Sequence, residues 1–338
     1  MIIDTHAHLY PEAYLDLIEA QGDKYPVRIG RNAEGLRVLL FDDREFFTFF
    51  PGFYDVDIRL AEMEAAGVDF QVLSIAPPMV FWADPDLGRA LCQVFNDTLA
   101  AVVRAHPDRF VALAALPLQN PPSAIRELER AVKDLDMRGC LLGSNIRGRD
   151  LDEETFEDFF AALSEADVPA YVHPILPAGR ERMRDYRLDI LLGFPVDTTL
   201  AATRLVFSGV LERHSNLRLI LSHLGGALPF LAGRLASGSD SFEGIEKKIS
   251  GDARDYFRMF YLDTIAYEPE VLAFGVGFAG VEKIVFGTDS PFFGEQNLRE
   301  CLAVVNDCER LSDADRRAIL TETPGKLFGI DAALTENG

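Results

Sequence analysis

Residues 1–11 read MIIDTHAHLYP, an apolar, strand-like run that closes on two histidines, His6 and His8. In an extended strand, residues i and i+2 share a face and lie about 6.6 Å apart, at roughly 3.3 Å per residue. Two imidazoles so placed can reach one metal ion. They can equally pack and hydrogen-bond where a strand runs into a loop. The pair alone leaves both readings open.

Working outward, runs of the same kind recur: FQVLSIA (70–76), RFVALAALP (109–117), GCLLGS (139–144), VPAYVHP (168–174), LRLILSH (217–223), MFYLDT (259–264) and KIVFGTD (283–289). Helix-like segments separate them. In DIRLAEMEAAG (57–67), Ile58, Met63 and Ala66 are expected to share the inward face. PPSAIRELERAVKDL (121–135) has prolines at its start, and DLDEETFEDFFAALSEADV (150–168) has acids in its first turns, where the helix dipole favours them. LSDADRRAIL (311–320) offers a serine N-cap. Eight strands alternating with helices predict an α/β fold, a (β/α)8 TIM barrel. A doubly wound sheet is less favoured, because no GxGxxG follows an early strand. The expected organisation is one domain over 1–330 with an insertion at 11–56, a long loop at 174–194 and a C-terminal tail at 331–338. Both interruptions follow strands, at the end of a barrel where active sites are built.

The bulk properties exclude some partners. Among 338 residues, 54 Asp and Glu outweigh 33 Lys and Arg, for a net charge of -21. Nucleic acids and anionic membrane surfaces are bound through basic residues, so neither is expected as a partner. The four cysteines, Cys92, Cys140, Cys301 and Cys308, form no CxxC pair and are read as packing thiols. With no signal peptide ahead of the first strand and no apolar run of about 18 residues, a cytoplasmic location is expected.

There are six histidines. His106 and His214 sit in helix-end settings that explain them structurally. His6, His8, His173 and His223 instead fall at the C-terminal ends of predicted strands, as does Asp289 in VFGTDSPF. In a barrel these ends converge on one mouth. Imidazole and carboxylate donors suit Zn2+ or a similar first-row ion. His6, His8, His173 and Asp289 would supply four ligands, leaving His223, beside a Gly-Gly turn, as an unligated acid/base. A metal ion can bring the pKa of a bound water to about 7, chemistry that serves hydrolysis, hydration or decarboxylation.

DTHAHLYP, VHP, LSHLGGALPFLAGR and FGTDSPF, in this order, resemble the amidohydrolase superfamily, in its branch of metal-dependent decarboxylases that includes the aminocarboxymuconate-semialdehyde and γ-resorcylate enzymes. The similarity extends through RLAEMEAAGVDFQVLS, LPLQNPPSAIRELERAV and LLGFPVDTTLA. The resemblance implies one divalent metal, Zn2+ first and Mn2+ second, held by His6, His8, His173 and Asp289. It implies His223 as catalytic acid/base, with Asp289 assisting, and Arg234 binding a substrate carboxylate in the neighbouring subunit's site, hence a homodimer. Three departures bear on substrate. Phe47 stands where the aminocarboxymuconate enzyme carries an arginine, with Arg44 nearby; Ser290 replaces an aromatic residue; and HPILP replaces HPWDM. Phe47 and Ser290 are expected at the pocket, and Arg44 or a loop arginine such as Arg182 or Arg184 is a candidate to restore the lost anion-binding group. The expected activity is non-oxidative decarboxylation of a small unsaturated or aromatic carboxylic acid. The alternative is a metal-dependent hydrolase or hydratase.

Overall fold

Eight short, buried strands are hydrogen-bonded side by side into a ring in the computed structural model, which describes residues 1–292 and 294–330. The expected tail, 331–338, lies outside the described residues. The strands are β1 (Ile3–His8), β2 (Phe70–Ser74), β3 (Phe110–Ala112, continued by Ala114–Ala115), β4 (Cys140–Gly143), β5 (Ala170–His173), β6 (Leu219–Leu221), β7 (Tyr261–Asp263) and β8 (Ile284–Val285). Neighbours pair in parallel from β1 through β8. β3 changes partner at Leu113, whose N–H bonds Leu73 while that of Ala114 bonds Gly139. The ring closes where Thr5 N–H donates to Phe286 O (2.8 Å), Asp289 N–H to His6 O (2.8 Å) and His8 N–H to Ser290 O (2.7 Å). Strands buried on both faces read as near-continuous apolar runs, which is why they are visible in the sequence.

The first helix after the insertion, α1 (Val56–Ala66), starts at Asp55, whose carboxylate accepts from the N–H groups of Asp57 and Ile58, and stops at Gly67 in the left-handed region. Its buried face is Arg59, Met63 and Ala66. Ile58, expected inside, is 38% exposed. The inward register is set by the guanidinium of Arg59, which donates to His8 O and Gly52 O (both 2.6 Å) and to Ser290 Oγ (2.8 Å). Burial lowers its pKa to about 10, so it stays charged at neutral pH.

The insertion holds a helix, Glu12–Glu19, and an antiparallel meander of Val27–Arg31, Arg37–Phe41 and Arg44–Thr48. Its aromatics pack over the barrel mouth: Phe47 stacks on Phe53 at 5.4 Å and meets Phe292 edge-on at 5.2 Å. The loop after β5 folds back onto this sheet. Arg44 Nη2 donates to Arg184 O (3.3 Å) and Arg187 Nη2 to Phe46 O (2.6 Å).

Three further helices surround the site: α2 (Gly193–Phe207), α3 (Leu228–Ser241) and α4 (Pro269–Ala279). With the short turns before it, α2 completes a 23-residue stretch, 185–207, that contains an 18-residue window of mean hydropathy 1.4. By length and composition alone that window passes for a membrane span, a test that a buried core helix also passes. Half of it is buried, with Phe194, Ala201, Ala202, Leu205 and Val206 packed into the core. It also carries a buried aspartate, Asp197, bonded to Ser144 and Asn145. The four cysteines are buried and unpaired.

Candidate functional site

His6 and His8 end β1, His173 ends β5, and Asp289 follows β8. One ligand atom from each of the four lies within 4.8 Å of the others. Their hydrogen bonds fix which nitrogens face inward. His6 Nδ1 donates to Asp263 Oδ2 (2.8 Å), and His173 Nδ1 to Pro174 O (2.8 Å). His8 Nδ1 meets Ser74 Oγ at 3.1 Å, a hydroxyl whose own proton goes to Ala7 O. All three Nε2 atoms are thereby left as lone pairs aimed at one point, and second-shell bonds of this kind set the tautomer of metal-bound histidines.

The donor set fits a divalent cation. His173 Nε2 is buried without a hydrogen-bond partner. His6 Nε2 and His8 Nε2 stand 3.1 Å apart, a repulsive contact between lone pairs that a shared cation relieves. Asp289 Oδ1 adds a carboxylate oxygen 3.0 Å from His8 Nε2. Three imidazoles and a carboxylate match the donors that zinc and neighbouring ions prefer.

The electrostatics follow from burial and these pairings. Burial lowers the pKa of His8 to about 4, and burial together with the surrounding imidazoles holds that of His173 well below its ordinary value. Burial also pulls His6 down, but the Asp263 hydrogen bond and the charges of Asp289 and Asp263 outweigh it, raising the pKa overall. Burial pushes Asp289 up, yet His223 and His8 hold its carboxyl well below the usual range.

His223 Nε2 lies 3.6 Å from Asp289 Oδ2, and its Nδ1 is buried without a partner. His223, Leu224 and Asp289 all adopt positive φ (55°, 53° and 60°). Such strain persists where surrounding structure over-determines it, commonly at functional sites. Asp263 supplies that structure here: Oδ2 also accepts His223 N–H, and Oδ1 accepts from Leu224 and Ile265. Two glycines permit the close packing. A Cβ on Gly287 would meet the Cβ atoms of His6 and Asp263 at 2.9 and 3.1 Å, and one on Gly226 would strike Pro195 O at 2.0 Å.

His173, His223 and Asp289 open into a cavity of about 710 Å3, a size suited to a small molecule. Its walls are largely apolar, among them Phe46, Phe47, Phe194, Ile265 and Phe292.

A family model described as amidohydrolase matches residues 3–330. The chain belongs to the amidohydrolase family. The 2-amino-3-carboxymuconate-6-semialdehyde decarboxylase of Dictyostelium discoideum is 33% identical over 292 residues, covering 86% of this chain and 81% of that one. The γ-resorcylate decarboxylase of Rhizobium sp. (strain MTP-10005) is 31% identical, covering 82% and 88%. Among solved structures, dihydroxybenzoic acid decarboxylase from Polaromonas sp. JS666, holding manganese and the inhibitor 2-nitroresorcinol, superposes with a TM-score of 0.79. It is 27% identical and covers 99% of both chains.

Within this amidohydrolase the sequence-derived candidates divide. His6, His8, His173, His223 and Asp289 come together, and Phe47 lines their cavity. Ser290 does not line it: fully buried, its hydroxyl accepts from Arg59. Arg44 and Arg182 also lie outside the lining, Arg44 held to the Arg184 carbonyl and Arg182 exposed on the turn Arg180–Arg182. Arg234 is exposed on α3, away from the cavity of its own chain. Two participants were overlooked. Asp263 carried the signal used for Asp289, a carboxylate closing a predicted strand. Arg187, rather than Arg182 or Arg184, is the loop arginine at the cavity.

Proposed function

We propose that this enzyme removes CO2 without oxidation from a small aromatic or unsaturated carboxylic acid. The observation that carries the reading is the four-ligand centre with an unligated histidine beside it, at the base of a largely apolar cavity. Curated relatives that are decarboxylases support it. Decarboxylation exchanges a C–C bond for a C–H bond: the electron pair of the breaking bond stays on the substrate, and one proton must reach the carbon that loses CO2. His223 delivers that proton, its Nε2 3.6 Å from the Asp289 carboxylate. His6, His8, His173 and Asp289 would hold the divalent ion, which when bound would supply electrostatic stabilisation of charge building on the substrate's oxygens. Zn2+ is the preferred ion from the imidazole-rich donors, with Mn2+, found in the Polaromonas relative, as the alternative.

The working form we propose is a homodimer in the cytoplasm. Phe230 on α3, Val196 and Leu200 on α2, and Val271 and Phe274 on α4 are 40–78% exposed, and α3 packs against both α2 and α4. An apolar patch of this kind marks an association surface. Arg234 lies on the same helix as Phe230 and would reach the neighbouring site across it, where it binds the carboxylate that is lost.

The deciding experiment combines elemental analysis with CO2 release from hydroxybenzoates and carboxymuconate-type acids, for wild type and His223→Ala. About one divalent ion per chain, CO2 from one class of acid, and a rate 10²–10⁴-fold lower in the variant are expected. Full activity in His223→Ala refutes its role. Bound metal with no CO2 from any acid turns the assignment to hydrolysis. A fully active monomer refutes the shared arginine.

A further inference from the structure

The metal cavity has one positively charged side chain in its lining among the described residues, that of Arg187. The segment carrying it is unusual. Tyr186 and Arg187 are consecutive non-glycine residues with left-handed backbones, φ 58° and 56°, a conformation side chains rarely adopt and structure elsewhere must hold in place. The side chain itself does the holding. Arg187 Nη2 donates to Phe46 O at 2.6 Å and Nη1 reaches Glu45 O at 3.4 Å, both on the insertion strand that also presents Phe47 to the cavity. Two of its five donors are engaged and three remain.

Its surroundings leave that charge uncompensated. Both partners are neutral carbonyls, and among the described residues no carboxylate lies within ion-pair distance of it. Among the described residues, the single acidic one in the cavity lining is Asp289, which belongs to the candidate ligand set. At the centre, three neutral imidazoles, one carboxylate and a divalent ion sum to at least +1, before the proton that His223 delivers is counted, so the substrate carboxylate that leaves is already matched there and has no charge left over for Arg187. Arg187, a solvent-exposed residue that also lines the cavity, adds a further positive charge beside largely apolar walls, and a guanidinium favours an anionic oxygen partner.

We propose that Arg187 determines specificity by binding a second anionic oxygen substituent, a carboxylate or a phenolate, distinct from the carboxylate that is removed. The inference rests on the decarboxylase reading and names its substrate class: aromatic acids carrying a second anionic group rather than simple monoacids.

Nitroaromatics test this without turnover, since a nitro group presents two planar oxygens in place of the leaving carboxylate. Dissociation constants are measured by calorimetry on metal-loaded wild type, Arg187→Met, Arg187→Lys and the control Arg182→Met. The central pair is 4-hydroxy-3-methoxy-5-nitrobenzoate and 2-methoxy-6-nitrophenol, which differ by one carboxylate. The phenolate arm compares 2-nitroresorcinol with 2-nitrophenol. Wild type and Arg182→Met are expected to prefer the member with the extra oxygen group by about 10–100-fold in at least one pair. Arg187→Met should bring that ratio close to one, and Arg187→Lys should restore part of it. Which pair responds identifies the group as carboxylate or phenolate. If Arg187→Met weakens both members of each pair equally, the residue is only a clamp between loops and the proposal falls. A wild type with no preference in either pair also overturns it while leaving the decarboxylase reading intact. A wild type that binds none of the four, and releases no CO2 from any acid, overturns both.

Discussion

Substituting Asp263→Asn changes one atom in a carboxylate that is not itself among the candidate ligands but accepts from one of them, His6, and it should weaken metal binding. Asp263 accepts four hydrogen bonds, two on each oxygen: His6 Nδ1–H and His223 N–H on Oδ2, Leu224 N–H and Ile265 N–H on Oδ1. An amide has one accepting oxygen, so in either orientation its NH2 faces two donors. Facing Leu224 and Ile265, it confronts two backbone groups that cannot change. Facing His6, it can be accommodated if the imidazole switches tautomer, so that Nδ1 accepts and Nε2 carries the proton. That orientation is the less costly one, and it removes the lone pair His6 offers to the ion.

Two magnitudes follow. Loss of an outer-shell partner costs about 10–100-fold in metal affinity, or about 1.4–2.7 kcal/mol at 1.36 kcal/mol per tenfold. The stranded N–H of His223 costs a further ~1–3 kcal/mol of stability. Competition with a chromophoric chelator measures the first, and urea denaturation of the metal-free protein the second. The two readouts separate a fold defect from a ligand defect. Asp263→Asn that binds metal as tightly as wild type would refute the tautomer argument outright.

Two other substitutions probe the scaffold. Arg59→Met should lower unfolding stability by about 3–5 kcal/mol, because the carbonyls of His8 and Gly52 and the Ser290 hydroxyl lose their buried donor while the charge of Asp4 loses a compensating one; a change under about 1 kcal/mol in urea titrations would contradict this. Glu157 is held down to about 2, first by hydrogen bonds from Arg213 and then by His214, against burial, which raises it. Its folded pKa lies below the ordinary 4.5, so its contribution is fully present above pH 4.5 and is lost as pH falls from there toward 2. Because the side chain is 38% exposed, solvent screening reduces the contribution to about 1 kcal/mol. The gap between wild type and Glu157→Gln in urea should accordingly shrink as pH falls below 4.5, and a gap constant from pH 7 to pH 3.5 would be inconsistent with it.

Strand positions and the side chains that gather at the barrel mouth were legible because both depend on short-range pattern. A buried barrel strand must be apolar along its length, so a histidine or aspartate at its end stands out, and alternation alone places His6 and His8 on one face. Side chains that answer to long-range acceptors were not legible. Hydropathy placed Ile58 inside α1, while three acceptors on β1, on the insertion and after β8 turn Arg59 inward instead. Ser290 was expected at the pocket because it stands where the resembling enzyme has an aromatic residue, but its hydroxyl is buried and accepts from Arg59 instead. Arg187 is one of four arginines in GRERMRDYR. What singles it out is a pair of left-handed residues and two carbonyls of a different insertion, neither of which leaves a local trace in sequence.

The placement of the ligands also explains why a charged layer is buried beneath them. Three of the four, His6, His8 and Asp289, come from the β1–β8 seam, where the ring closes through only a few backbone bonds. Under that seam, Asp4 accepts from His6 N–H (3.1 Å), Gln71 Nε2 (2.9 Å) and Thr288 Oγ1 (2.7 Å). Gln71 in turn approaches Arg59 Nη1 at 3.4 Å, and Arg59 holds both His8 O and Ser290 Oγ. The layer therefore ties β1, β2, the segment after β8 and α1 to one another with its polar groups engaged apart from Arg59 Nε, close to the condition under which buried polar networks rigidify a core. Without it, β8 could shift along β1 and separate Asp289 from the histidines by the fraction of an ångström that metal geometry does not tolerate. Burial raises the pKa of Asp4 to about 6, a cost accepted in the scaffold at the place where the ligand set depends on strand register.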